Sequence, residues 1–136
     1  MRWFRRLRSE VAPHLARGRR AEQLACGYLK AQGYTILERN VRYPVGEIDI
    51  VAREGEALCF VEVRSTASQQ WGGPLASITD RKRRHLINAA RWYLQYRPVR
   101  LPEIRFDVVA IDWHAHGPAV ELIREAFTAD TPSSPA

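Results

Sequence analysis

The sequence predicts an α/β domain, a mixed central sheet flanked by helices, in the chain order α-β-β-β-α-β with a small C-terminal element. Two stretches with the apolar spacing of a helix, at 17–32 and up to about Tyr96, bracket three short runs rich in β-branched and aromatic residues. A fourth such run follows the second helix. The length of 136 residues suits one core, and 46% hydrophobic with 26% charged residues excludes disorder for the bulk of the chain.

The first helix rests on Ala21, Leu24, Ala25, Tyr28 and Leu29, which follow the i, i+3, i+4, i+7, i+8 rule, with Gly33 as its terminator. Residues 34–42 then read as a strand, and Pro44 with Gly46 breaks it. GEIDIVARE (46–54) and ALCFVEVRS (57–65) flank Glu54-Gly55-Glu56 and form a hairpin. The Gly-rich stretch 66–74 is a loop. Thr79 or Ser77 caps a second helix whose apolar face is Leu86, Ile87, Ala89, Ala90, Tyr93 and Leu94 and which Pro98 and Pro102 end. IRFDVVAID (104–112) is a strongly apolar strand, reached by a crossover over the sheet. AVELIREAF (119–127) is either a last short strand or a turn of helix. The domain therefore spans 17–127, between a basic arm at 1–16 and an unstructured tail at 128–136.

The net charge of +6 is unevenly placed, because residues 1–20 carry seven arginines against Glu10 alone while the rest of the chain is balanced. Such a leader draws polyanions, nucleic acid first, unless it is simply a solvated tail. Trp3, Phe4, Leu7 and Val11 recur at helical spacing, but Pro13 limits any interfacial helix, so a membrane partner is not expected. No uncharged apolar run of about 18 residues exists to span a bilayer. With no secretory h-region at the start, the cytoplasm is the expected location. Cys26 and Cys59 sit in apolar surroundings and read as buried hydrophobes, and His114 with His116 is too small a set for zinc.

The chemistry lies on the strands. Alternation puts Glu47 and Asp49 on one face of the second strand, Ile48 and Ile50 on the other, and groups Phe60, Glu62 and Arg64 on one face of the third. Acids among apolar neighbours must be ion-paired, exposed at an edge, or bound to a cation. An Asp49 or Glu62 pair with Arg64 on a wet face is the ordinary outcome. The sharper one is a hard-metal site in which Asp49 and Glu62, with a backbone carbonyl near Val63, offer oxygen ligands to Mg²⁺ or Mn²⁺. A divalent ion there would acidify a water for attack on a phosphodiester and offset charge on the phosphate. Glu22 borders the apolar stripe of its helix and is either a third acid of this site or an exposed glutamate.

The run from GRRAEQLACGYLKAQGYTILERN through GEIDIVA and FVEVRS, followed by GGPLASITDRKRRHLINAARWYL and RFDVV, resembles the YraN family of small bacterial proteins over about residues 17–127. That family is similar in turn to the PD-(D/E)xK nucleases, whose restriction-endonuclease-like αβββαβ core is also found in Holliday-junction resolvases. The resemblance implies Asp49 as the motif aspartate, Glu62 as the acid of the E-x-K element and Glu22 as the helix acid. It also implies a metal-dependent nuclease acting on DNA, branched or otherwise structured, and a homodimer wherever two strands of a junction are cut. The alternative is a nucleic-acid-binding protein that keeps the fold without turnover.

The lysine position of the E-x-K element holds Arg64, which can offset phosphate charge but cannot act as a base. Lys82 is the candidate substitute: helical spacing turns it with Leu86, Ala89 and Tyr93 toward the sheet. Arg81, Arg83 and Arg84, with Arg17, Arg19 and Arg20, are the expected phosphate contacts, unless they are a solvated helix end. Arg105 and Asp107 read as a supporting ion pair, and Trp71 as either a base-stacking residue or a loop anchor.

Overall fold

The computed structural model describes residues 18–66, 78–97 and 99–129. The arm 1–16, Arg17, Trp71, Ser77 and the tail from 130 onward lie outside the described residues. Helix α1 (18–31) precedes β1 (Thr35–Tyr43), β2 (Gly46–Glu54), β3 (Ala57–Thr66), helix α2 (Asp80–Tyr96), β4 (Glu103–His114) and β5 (Gly117–Phe127). The strands form one mixed sheet in the order β1-β2-β3-β4-β5, antiparallel except for the parallel β3–β4 pair. A parallel pair requires a crossover, and α2 lies on it. The C-terminal element is a strand, the edge partner of β4, and the mixed sheet with helices agrees with a restriction-endonuclease-like αβββαβ core.

Each face of the sheet carries one helix and one core. On the first face Ala21, Ala25, Cys26 and Leu29 of α1 cover Ile50, Ala52, Cys59, Val61, Val109 and Ile111. On the second, Leu86, Ala89, Ala90 and Tyr93 of α2 cover Ile48, Val51, Leu58, Phe60, Phe106 and Val108. Both cysteines are free and buried. Near-continuous apolar runs in β2, β3 and β4 follow from this double burial. Gly33, at φ 98°, ends α1 in the left-handed conformation open to glycine. The Thr79 hydroxyl accepts from the Lys82 N–H at 3.2 Å and starts α2.

One expectation about β2 is corrected. Ile48 and Ile50 do not share a face: Ile48 belongs to the α2 core and Ile50 to the α1 core. Strict alternation fails because the backbone ladder between β2 and β3 begins only at the Ile50–Val61 pair. On the other side of β2, Asn40 falls opposite Asp49 but makes no ladder pair and takes φ 53°. The sheet is thus locally split at Asp49.

Gly46 starts β2 where α2 passes close by. A Cβ there would stand 2.6 Å from the His85 carbonyl oxygen, backbone that cannot rotate away. Gly46→Ala is expected to cost about 1–3 kcal/mol by forcing helix and hairpin apart. Urea denaturation measures this, and a loss under half of the lower figure would mean that the contact is slack.

Candidate active site

The split in the sheet is where the predicted acids meet. Beyond the Ile50–Val61 pair, the Val63 N–H donates to Asp49 Oδ2 at 2.9 Å, so a side chain takes the place of a backbone rung. The Asp49 and Glu62 carboxyls are close enough for each to perturb the ionisation of the other. Neighbouring half-buried carboxyls resist ionising together. Burial, then the charges of Glu22 and Glu47, push Asp49 above the usual carboxylate range, against the opposing pull of the Val63 N–H and the Glu62 hydrogen bond. Burial and the neighbouring Asp49 charge raise Glu62 further, although Arg64 and Lys82 pull it back.

The other predicted residues gather around this pair. Glu22, half-buried on α1, accepts from Asn40 Nδ2 at 3.0 Å and stands 3.9 Å from Arg39, at the stretch of β1 that falls opposite Asp49. Arg64 Nη1 is 3.7 Å from Glu62 Oε1, an ion pair longer than a hydrogen bond, with the two side chains 24% and 17% exposed. Lys82 is half-buried at the start of α2, and burial, then the Arg64 charge, lower its pKa against the attraction of Glu62. Lys82 thus lies near enough to Glu62 and Arg64 for their charges to act on it.

The phosphate contacts expected on α2 divide. Arg81 and Arg84 are exposed, whereas Arg83 is half-buried, 3.6 Å from Asp80 and over the Phe127 ring at 5.8 Å. On α1, Arg19 is exposed and Arg20 lies over Trp113 at 5.3 Å.

Asp49 and Glu62 offer hard oxygen donors from adjacent strands, the donor chemistry that Mg²⁺ and Mn²⁺ take. Among the described residues no group of three or more His, Cys, Asp or Glu side chains converges as a metal site. A cation at the pair would complete its shell with backbone carbonyls and waters, as Mg²⁺ usually does.

A second polar cluster sits toward the other end of the sheet. Arg105 binds Asp107 through two hydrogen bonds of 2.8 Å and reaches Glu54 at 2.7 Å and the Tyr34 hydroxyl at 2.9 Å. Tyr34 donates to Asp107 at 2.7 Å, the Glu125 N–H donates to Asp107 at 3.0 Å, and Arg124 clasps Glu54 at 2.7 and 2.8 Å. Burial opposes ionisation of the fully buried Asp107, but these donors outweigh it and hold its carboxyl below the usual range. The Arg124 hydrogen bonds, with help from Arg105, bring Glu54 down to about 2. Arg105 and Asp107 are the expected supporting pair; Tyr34, Glu54 and Arg124 complete it without any local sequence signal.

The family model described as Uncharacterised protein family UPF0102 matches residues 21–111. The UPF0102 protein of Desulfosudis oleivorans is 45% identical over 117 residues, 86% of this chain and 94% of that one. That of Alkalilimnicola ehrlichii is 45% identical over 126 residues, covering 92% and 97%, and that of Shewanella loihica is 41% identical over 116 residues, covering 85% and 97%. With these matches running over nearly the full length of the relatives, the chain belongs to UPF0102, the YraN family.

Proposed function

We propose that this protein is a metal-dependent nuclease that hydrolyses phosphodiester bonds of DNA, branched or otherwise structured DNA included. The observation that carries the reading is the Asp49–Glu62 carboxyl pair, half-buried where β2 and β3 part and flanked by Lys82 and Arg64. A bound Mg²⁺ or Mn²⁺ supplies Lewis acidity, which lowers the pKa of water and offsets charge on the phosphate. Asp49 and Glu62 hold it, and the Val63 N–H fixes the Asp49 carboxyl in place. Arg64, always protonated, compensates phosphate charge, while Lys82, its pKa lowered by burial, positions or accepts a proton beside Glu62.

Mn²⁺ calorimetry, together with cleavage of junction, flap and single-stranded substrates in Mg²⁺ or Mn²⁺, tests the reading. Asp49→Ala and Glu62→Ala are expected to lose both metal binding and cleavage. Lys82→Ala is expected to keep metal binding while single-turnover cleavage falls by about 10²- to 10⁴-fold, the usual worth of a proton-handling side chain. Cleavage that survives both acid substitutions would remove the site.

The second reading, a nucleic-acid-binding protein of this fold without turnover, is favoured by Arg64 in the lysine position, 3.7 Å from Glu62. It expects salt-dependent binding that needs no divalent ion.

A further inference from the structure

Tyr43 of β1 meets Trp92 of α2 with ring centroids 5.6 Å apart and planes inclined by 43°. Trp92 in turn meets Tyr96 at 5.8 Å and 54°. The inclined rings do not cover one another as a closed stack would. Tyr96 is 62% exposed, the most exposed large apolar side chain among the described residues. Such a row carries no core function at its outer end.

The row has two arginines beside it. Arg42 precedes Tyr43 on β1, and Arg97 follows Tyr96 and lies over the Tyr93 ring at 5.9 Å, while the His85 imidazole sits one turn along α2 from Lys82. Arg42 pairs with Glu47 at 3.5 Å and Arg97 with Glu38 at 3.4 Å, solvent-accessible ion pairs that exchange for another anion. Two open clefts, of about 570 and 390 Å³, flank Tyr43: one reaches Gly46 and His85, the other reaches Arg97. From Lys82 to Trp92 the helix rises about 15 Å at 1.5 Å per residue, and His85, Trp92 and Tyr96 keep to one flank of the Lys82 line. The strip therefore leads from the carboxyl pair outward along α2.

We propose that Tyr43, Trp92 and Tyr96 form a stacking platform for an unpaired stretch of DNA whose backbone is held by Arg42 and Arg97 and led toward the Asp49–Glu62 pair. Aromatic faces interleaved with cations recognise bases that are free to leave a helix, and a duplex hides those faces. This deepens the nuclease reading and rests on it for the direction in which the strand runs, whereas the platform itself is read out by binding alone.

The test uses the full chain in EDTA, where a metal-dependent cleavage cannot proceed. Fluorescence anisotropy follows a dye-labelled single-stranded oligonucleotide and a duplex of the same length. Tyr96→Ala, at an exposed position, is expected to weaken single-strand binding about tenfold, as loss of one stacking partner does, and duplex binding less than twofold. Arg97→Ala is expected to lower the salt slope of single-strand binding by about one contact. Trp92→Phe retains a ring and should retain binding, while the oligonucleotide should quench less tryptophan fluorescence than in the parent protein. Equal weakening for duplex and single strand, or none for either, overturns the platform, as does concentration-dependent self-association abolished by Tyr96→Ala, which would assign the row to a second copy. If single-strand binding behaves as expected while no substrate is ever cut, the platform stands and the nuclease reading falls. If cutting depends on Glu62 but binding ignores Tyr96, the reverse holds.

Discussion

Glu62→Gln is expected to make the metal-free protein more stable while it abolishes Mn²⁺ binding and cleavage. The cause is the cost of holding two carboxyls together in a half-buried gap of the sheet. Both are raised above the ordinary range, chiefly by burial. A group whose folded pKa is raised contributes stability below its unfolded pKa and loses it as pH rises through the folded value. Above the ordinary carboxylate pKa the parent protein in EDTA should therefore lose thermal stability toward weakly alkaline pH, and Glu62→Gln should lose less. The gain from the substitution grows along the same direction, to roughly 1 kcal/mol, a common size for relieving strain at a functional site. Adding Mn²⁺ should raise the melting temperature of the parent at weakly alkaline pH and leave that of Glu62→Gln unchanged. Cleavage should fall by more than the roughly 10- to 100-fold that a residue supporting a metal ligand is worth. A Glu62→Gln protein that is less stable than the parent in EDTA would identify Glu62 as a structural partner of Arg64.

The largest loss of stability is expected from Asp107→Asn. Asp107 is fully buried and takes hydrogen bonds from Arg105, Tyr34 and the Glu125 N–H. Removing its charge leaves the Arg105 guanidinium short of its main partner, and breaking a buried pair from one side costs about 3–5 kcal/mol. Arg105→Lys should cost nearly as much, because an ammonium cannot reproduce the forked contact to Asp107 with the reach to Glu54. The pH dependence has the opposite sign to that at Glu62. Glu54 and Asp107 are depressed, so their contribution is present above the unfolded carboxylate pKa and is lost as pH falls toward the Glu54 value of about 2. Urea denaturation across the acid range measures this. Mn²⁺ binding should survive in any folded fraction, because Asp107, although it pairs with Val61 next to Glu62, lies on the α1 face with Tyr34 and Val109, whereas Glu62 alternates with Phe60 onto the α2 face. A loss below about 1 kcal/mol would mean that water enters to replace the carboxylate.

The sequence was most legible where local signals agreed. GEIDIVARE is bounded by turn residues on both sides, and β2 spans the nine residues expected of it. The period of α2 placed Lys82 toward the sheet, and the i, i+2 spacing of Arg105 and Asp107 on one strand announced their pair. The faces of Ile48 and Ile50 were not legible, because alternation presumes an unbroken ladder and the break depends on what lies opposite, at Asn40 and Val63. Arg83 reads as one more cation in a basic run, yet it lies over Phe127, a residue that only the β4–β5 pairing brings near. Tyr34, Glu54 and Arg124 join Asp107 and Arg105 across separations of 51 to 73 residues, beyond the reach of any local pattern. The acid pair belongs to the legible part, since adjacent strands of one hairpin carry it.

The single parallel pairing in the sheet divides the assembly of the centre into two events. Asp49 and Glu62 meet inside a hairpin that closes through short-range contacts, whereas Lys82 is delivered on the crossover to β4, a long-range closure that proceeds more slowly. The hairpin alone therefore sets the two carboxyls with Arg64 beside Glu62, and Lys82 joins them only once the crossover has closed.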